Sequence, residues 1–314
     1  MSFEPYKSAK VVLIRSLSDL HPGTGRGGEV VDLAVQRDGV GFPVIYGSSI
    51  KGSMKTALYH RNKSLTSLLG PEPESGEKYS SPVAVMTAYI LSFPVRSLKG
   101  ICTNVTSPFL LRRFAGYLHM ASVLNARYGE MERDVRGIAE ISGRFPATTG
   151  FKNKHVVEGL EKASLCEEVF IDRDLIEERS EMDKLRDLLG LDKSESLISI
   201  DDDRAKSLVE RSLMRVTRIR IERDRKTVAE GGLWTEEAVP SGTIFATVFL
   251  GYGKEKCMEV LKKSIKEIGE LERHLENKEL IDAVLEGAKY LIMGGDETVG
   301  RGIVELRKLG EVKQ

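Results

Sequence analysis

Cysteine is nearly absent: Cys102, Cys166 and Cys257 are the three in 314 residues, far apart and without a C-x-x-C pair. That argues against a zinc ribbon, a thioredoxin-type motif or a disulfide framework, and predicts small buried hydrophobes instead. His21, His60, His119, His155 and His274 show no H-x-x-x-H spacing, which argues against a preformed histidine site. Any metal here is expected to be an oxygen-loving ion such as Mg²⁺ held by carboxylate. No apolar run approaches the roughly 18 residues of a membrane span, and Met1 to Lys7 has no apolar core of a signal peptide, so a cytoplasmic protein without membrane contact is expected. Asn and Gln are scarce, at five and two residues, against 47 basic and 47 acidic ones, a bias associated with hot environments. The net charge of zero removes the simplest electrostatic argument for nucleic-acid binding, and only the local distribution of charge restores it.

What is present is charge, at 30% of residues, and patterned apolar sequence, at 41%, enough to bury a core in one elaborated domain or two modest ones. Lys10 to Ser16 reads as a first strand and Val30 to Gln36 as a second short apolar stretch. Phe42 to Tyr46 leads into a helix from Ile50 to about His60, capped by Ser48 or Ser49, with Ile50, Met54, Ala57 and Leu58 on one face. Residues 70–82 read as a loop, Val83 to Val95 as strand broken at Pro94, and Phe109 to Tyr128 as an amphipathic helix. Further on, a Gly231-Gly232 turn precedes an alternating strand, Val239 to Gly251. Helices are expected near Lys254 to Leu271 and Asn277 to Ile292, the second burying Ile281, Val284, Leu285, Ala288 and Leu291. A glycine loop, Gly294 to Gly302, then enters a closing strand, Ile303 to Leu306. The mixture is α+β, with no βαβ repetition long enough for a doubly wound sheet.

The zero total hides a dipole in sequence. From Asp172 to Asp203 twelve acidic residues stand against five basic ones, and from Arg204 to Lys226 nine basic against three acidic. The plain reading is two solvated charged faces; the alternative is a basic strand facing RNA. Met214 to Ile221 interleaves Arg215, Arg218 and Arg220 with Val216, Ile219 and Ile221, which predicts a strand with arginines on one side and branched apolars largely on the other.

Two apparent motifs fail. Gly47-x-x-x-x-Gly52 resembles the opening of a P-loop, but Ser53 and Met54 stand where Lys and Ser/Thr must reach phosphate and metal. Gly294-Gly295-Asp296-Glu297-Thr298 resembles a diguanylate cyclase signature without the domain that should surround it. Three other blocks hold together: a glycine turn with one histidine (His21-Pro22-Gly23-Thr24-Gly25-Arg26-Gly27-Gly28), one carboxylate among apolars (Val31-Asp32-Leu33-Ala34-Val35-Gln36-Arg37), and a small-residue helix start with a lysine (Gly47-Ser48-Ser49-Ile50-Lys51-Gly52). Together they suggest a surface that holds a phosphate backbone beside an acid.

Those blocks, with Leu233-Trp234-Thr235-Glu236-Glu237 and the terminal Gly300-Arg301-Gly302, resemble in order and spacing the RAMP superfamily of CRISPR proteins. More narrowly, they resemble the backbone nuclease subunit of the type III-B effector, the Cmr complex. The resemblance spans residues 10–60 and 215–306. It implies an RRM-like (ferredoxin-like) palm with inserted helical segments and a β-hairpin thumb: palm and fingers from 1–150 and 234–314, a charged insertion and thumb from 151–233. It also implies copies stacked head to tail on a guide RNA beside other Cmr subunits, and cleavage of complementary target RNA at regular intervals. Cleavage in that family depends on a divalent metal, Mg²⁺ or Mn²⁺, and on an acid at the position of Asp32. Ala238 departs from the pattern, standing where an aromatic residue is expected.

The chemistry of the residues agrees with that implication. RNA carries its own nucleophile, the 2′-OH, so an enzyme need only align it with the phosphorus and stabilise developing charge. Asp32 is suited to hold Mg²⁺ or to accept the 2′-OH proton; its plain reading is a solvent-facing residue on an edge strand. His21 either protonates the leaving oxygen or shapes a turn, and Glu236 and Glu237 begin an element near the active site. Ser48, Ser49, Lys51, Arg37, Arg218, Arg220 and Arg301 are the candidate RNA contacts. The alternatives are a non-cutting guide-RNA scaffold of a related type III complex and a metal-independent, guide-processing RAMP endoribonuclease.

Overall fold

The β-branched run from Lys10 lies within a strand, Tyr6–Ser16, which pairs antiparallel with Ile244–Tyr252 on one side and Ile303–Lys308 on the other. The computed structural model describes residues 3–25, 31–72, 75–265 and 268–310. Arg26, Gly27 and Gly28 of the first glycine block, and Val30, fall outside them. Outward from these three strands the main sheet continues through Ala88–Ser97, Ile101–Thr106, Leu197–Ser199, Phe145–Ala147 and Ile176–Glu178 on one flank, and Tyr290–Ile292 on the other. Most pairs are antiparallel, as the α+β class requires; Leu197–Ser199 with Ile101–Thr106, and Ile176–Glu178 with Phe145–Ala147, are parallel. Residues 156–199 thus add strands to the same sheet rather than standing apart from it.

Both faces of the sheet are covered. Val12 and Ile14 face a core shared with Ile50, Met54 and Leu58 of the helix Gly47–Arg61 and with Ile281 and Val284 of Leu280–Gly287. Ala9, Val11 and Leu13 face the opposite core, with Leu111, Phe114 and Leu118 of Pro108–Ser122 and Val135 of Tyr128–Ala139. This is why Ile244–Tyr252 is buried along its whole length and does not show the alternation expected of a half-exposed strand.

Several local expectations change for identifiable reasons. The 31–37 segment forms isolated bridges rather than a strand. Ser48 and Ser49 do not cap the helix: it begins at Gly47 after Tyr46, without a side-chain cap bond. Pro94 does not break its strand, because pairing with Ile244–Tyr252 stops at Ser92, leaving no partner there for the missing N–H. The expected helix from Phe109 ends at Ser122, and a separate one starts at Tyr128. The Lys254–Leu271 helix is two, Lys254–Lys262 and Gly269–Leu275; the last ends at Gly287, and Leu291 instead pairs with Val304 in a strand. Cys166 and Cys257 are buried, but Cys102 is exposed, close to the turn between two strands.

Apart from the main sheet, Met214–Ile221 and Val228–Ala238 form a two-stranded antiparallel ribbon. Its turn lies at Glu222 to Thr227, and Gly231-Gly232 sits in a bulge of the second strand where the register jumps between Ile219 and Ile221. Strand parity divides the arginines: Arg215 shares a face with Ile219 and Ile221, while Arg218 and Arg220 share the other with Val216. Ile219, Ile221, Val228 and Leu233 are all exposed on the outer half of the ribbon.

Gly47 starts its helix against backbone. A Cβ at this position would lie 2.2 Å from the Val85 carbonyl oxygen, a clash that no rotamer relieves. Gly47→Ala is therefore expected to destabilise the protein by about 1–3 kcal/mol. Gly116→Ala, exposed in the middle of Pro108–Ser122 with nothing within 4 Å, should instead stabilise it by about 0.5–1 kcal/mol. Denaturant midpoints on opposite sides of wild type check both.

Candidate nucleic-acid interface and active site

The site is built where the inner half of the ribbon meets the three sequence blocks. The segment after Val31 lies alongside the ribbon strand Val228–Ala238: Leu33 N–H donates to Thr235 O at 3.1 Å and Glu237 N–H to Leu33 O at 3.0 Å. On the other side of the junction Leu20 and Val239 exchange backbone bonds of 2.9 and 2.8 Å. Asp32 is exposed at this seam. Its Oδ2 accepts from the Thr235 N–H at 2.7 Å and from Thr235 Oγ1 at 2.9 Å, and its own N–H donates to Thr235 Oγ1 at 3.0 Å.

His21 is 6% exposed and lies 2.6 Å, through Nδ1, from the Glu237 carbonyl oxygen. A carbonyl only accepts, so Nδ1 carries the hydrogen, and in the neutral ring Nε2 keeps its lone pair. A Cβ at residue 23 would lie 2.6 Å from Nε2, so Gly23 is what leaves that nitrogen room. The attachment points of Asp32 and His21 are Thr235 and Glu237, two residues apart on one strand, or about 7 Å.

Glu236 and Glu237 are successive strand residues and point to opposite faces. Glu237, 2% exposed, takes Arg37 Nη2 on both oxygens at 3.1 and 3.0 Å, Arg215 Nε and Nη2 on Oε1, and the Val35 N–H at 3.4 Å. Glu210 closes that network by accepting from Arg37 and Arg215. On the other face Glu236, 3% exposed, accepts from the Trp234 indole at 2.7 Å, Arg218 at 3.0 Å and Arg301 at 2.7 Å, and Arg301 also holds Asp296 at 2.8 Å. Burial alone would raise the Glu236 pKa, but the hydrogen bonds from Trp234 and Arg218 and the charges of Arg218 and Arg301 outweigh it and hold the carboxyl below its ordinary value.

The remaining candidates gather less closely. Gln36, read only as part of a motif, is central: its Nε2 donates to Gly23 O at 3.1 Å and Ser49 Oγ at 3.3 Å, and its Oε1 accepts from the Tyr46 N–H at 2.9 Å. It thereby joins the glycine block to the helix start, around a cavity of about 220 Å³ lined by His21, Gly23, Gly25, Gln36, Ser49 and Gly294, among others. Ser48 is exposed beside it. Lys51 points elsewhere, donating to Ser81 Oγ at 2.8 Å, and burial, helped by the charge of Lys55, pushes its pKa down. Arg220 is exposed on the ribbon, its Nη2 3.4 Å from Glu230 O. Glu210 carries no sequence signal that separates it from surface residues; Thr235 and Asp296 stand inside quoted blocks, but nothing local marks them as partners of Asp32 and Arg301.

Against this geometry the comparisons are decisive. The profile of the RAMP superfamily matches residues 13–305. The chain belongs to that superfamily. Within it, a Pyrococcus furiosus protein described as CRISPR system Cmr endoribonuclease Cmr4 is 34% identical over 311 residues, covering 95% of each chain. A Saccharolobus solfataricus protein described as CRISPR system CMR subunit Cmr4 is 28% identical over 333 residues, covering 98% of each. Among solved structures, a type III-B Cmr-beta effector in its apo state contains a chain that superposes with a TM-score of 0.74 at 28% identity, covering 98% of this chain and 100% of the other. Oligomeric Cmr4 from Pyrococcus furiosus gives 0.62 at 28% identity, covering 96% and 99%. The chain is thus similar along nearly its whole length to Cmr4 proteins of Cmr effectors, and it has the α+β RAMP fold that the sequence blocks imply.

The depressed Glu236 pKa carries a sign. A carboxyl whose folded-state pKa lies below its ordinary value contributes stability that is complete above that value, 4.5, and is lost as pH falls through the lower folded-state pKa. The stability gap between wild type and Glu236→Gln should be widest near neutrality and close on acidification below about pH 4.5. Urea midpoints across that range test it, and a gap independent of pH would contradict the ion-pair account.

Proposed function

We propose that this chain is the RNA-guided endoribonuclease subunit of a Cmr effector, stacking head to tail with other copies along a guide RNA and cutting complementary target RNA at Asp32. Its relatives support RNA cleavage, target-RNA binding and self-association: one is described as an endoribonuclease, one Cmr-beta structure is bound to cognate target RNA, and one Cmr4 crystal structure is oligomeric. The observation that carries the reading is Asp32 itself, an exposed carboxylate held in one orientation at the base of a projecting ribbon.

The ribbon supplies the strained substrate. Its exposed Ile219, Ile221, Val228 and Leu233 offer an apolar wedge, with Arg218 and Arg220 on the other face for phosphates. A displaced nucleotide reaches the in-line geometry that a regular A-form duplex denies the 2′-OH, at a cost of a few kcal/mol for unstacking. Asp32 and His21, anchored to Thr235 and Glu237 of one strand, flank such a phosphate, the first as metal ligand or proton acceptor, the second, in the imidazolium form with Nδ1–H kept on the Glu237 carbonyl, giving its Nε2 proton to the leaving oxygen. Ser48, Ser49 and the first-turn N–H groups of Gly47–Arg61 bind guide phosphates, with Lys51 released from Ser81 to join them. Arg37 and Arg301 serve the RNA from within their ion pairs, by holding Glu237 and Glu236 in place.

Among the described residues no group of three or more His, Cys, Asp or Glu side chains could hold a metal. One carboxylate nevertheless suits Mg²⁺ or Mn²⁺, which commonly take one or two protein carboxylates and complete their shell with water and substrate phosphate oxygens. Asp32 would be the protein ligand of such an ion, which would neutralise charge developing on the phosphate.

Asp32→Asn is expected to lower target cleavage at least about 100-fold in the assembled complex while guide binding persists. EDTA should stop cleavage by wild type, and Mg²⁺ or Mn²⁺ restore it. An Asp32→Asn complex that cuts at the wild-type rate would remove Asp32 from the chemistry; a wild-type complex that binds target RNA without cutting it supports the scaffold reading, and EDTA-resistant cleavage the metal-independent one.

One subunit type repeated along one guide presents Asp32 at a fixed spacing, so product ends should form a ladder of constant interval. Mapping them at nucleotide resolution for guides of different length tests this, and cuts that follow target sequence rather than distance would refute it.

A further inference from the structure

Asp32 lies on a segment that has no regular strand of its own, and an exposed carboxylate keeps a productive orientation only if its neighbours lock it. Thr235 supplies that lock. Its hydroxyl accepts the Asp32 N–H at 3.0 Å and donates to Asp32 Oδ2 at 2.9 Å, while its backbone N–H donates to the same oxygen at 2.7 Å. A hydroxyl has one hydrogen to give and two lone pairs to receive, so both of its bonds form together.

The backbone does not need this hydroxyl. Leu33 and Glu237 already stitch the segment to the ribbon through two main-chain hydrogen bonds. What the Thr235 side chain adds is the direction of the Asp32 carboxylate. Thr235 is also a ribbon residue, paired across the ribbon with Thr217, whose strand continues to the exposed Ile219 and Ile221. A ribbon that shifts against RNA therefore carries the acid's hydrogen-bond partner with it.

We infer that Thr235 is a positioning residue that sets the Asp32 carboxylate and ties its orientation to the ribbon. This rests on the reading that Asp32 carries cleavage. Thr235→Val keeps the β-branched shape and the backbone N–H but removes the hydroxyl; Thr235→Ser keeps the hydroxyl.

In the assembled complex with guide RNA, Thr235→Val is expected to lower the single-turnover cleavage rate about 10- to 100-fold, the scale of a misplaced reacting group. Guide and target affinities should stay within about twofold of wild type, and Thr235→Ser should recover the rate to within about threefold. Hydrogen exchange gives a readout apart from activity: the Asp32 amide loses protection in Thr235→Val and keeps it in Thr235→Ser. In an Asp32→Asn background Thr235→Val should cause no further loss of rate. If Asp32→Asn abolishes cleavage while Thr235→Val cuts like wild type, or if Thr235→Val loses RNA affinity as much as rate, the inference falls and the nuclease reading stands. If Asp32→Asn itself cuts like wild type, that reading fails and the inference with it.

Discussion

Two neighbouring carboxylates that cannot face the same way organise this molecule. Strand alternation sends Glu236 to one side of the ribbon base and Glu237 to the other, and both are buried. A buried carboxylate without partners is costly, so each must be met by cations from another part of the chain. Glu237 draws in Arg37 from the acid-bearing segment, and Glu236 draws in Arg301 from the C-terminal glycine loop. The ribbon contributes the second cation on each side, Arg215 and Arg218. Pieces from near the two ends of the chain, 200 residues before the strand and 65 after it, are thereby clamped together. Arg37 reaches both oxygens of Glu237 through one nitrogen, Nη2, while Nη1 holds Glu210 and the Gly41 carbonyl, so one guanidinium ties three separate groups together.

That arrangement has a consequence for RNA. Arg37, Arg215 and Arg301 spend guanidinium donors on carboxylates inside the protein, and Arg218 commits its Nε in the same way, so the base of the ribbon does not present a bare positive patch. What the region offers beside these ion pairs is oriented dipoles and shape: the first-turn N–H groups, the serine hydroxyls, Gln36 and the cavity beside His21. Such groups suit a regular A-form backbone better than a particular base sequence.

Chain order and space are reconciled by the sheet. The central strand Tyr6–Ser16 leads directly into the loop that holds His21, and its neighbours Ile244–Tyr252 and Ile303–Lys308 adjoin the ribbon and the glycine loop respectively. Three site segments therefore leave the same end of the same three strands. The His21 carbonyl accepts from the Gly295 N–H at 3.0 Å, which joins the first loop to the last.

Much of this was legible from the residues. Lys10 to Ser16 is β-branched and apolar enough to form a strand in any α+β setting, and the glycine blocks, the single acid Asp32 and the Gly300-Arg301-Gly302 loop carry the resemblance to the RAMP superfamily in local sequence alone. Local patterns also placed the helix after Gly47 and the ribbon strand at Met214 within a few residues. Other features depend on contacts between distant segments. Whether Ile244–Tyr252 alternates depends on how many faces of the sheet are covered, and helices distant in sequence cover both. Whether Pro94 breaks a strand depends on where its neighbour's pairing ends. Whether an arginine meets phosphate or carboxylate depends on partners such as Glu210 and Asp296, and whether Asp32 is oriented depends on Thr235, 203 residues away. Propensity and motif are properties of neighbours along the chain. Burial, ion pairing and the aim of a side chain are properties of neighbours in space, and only folding supplies those.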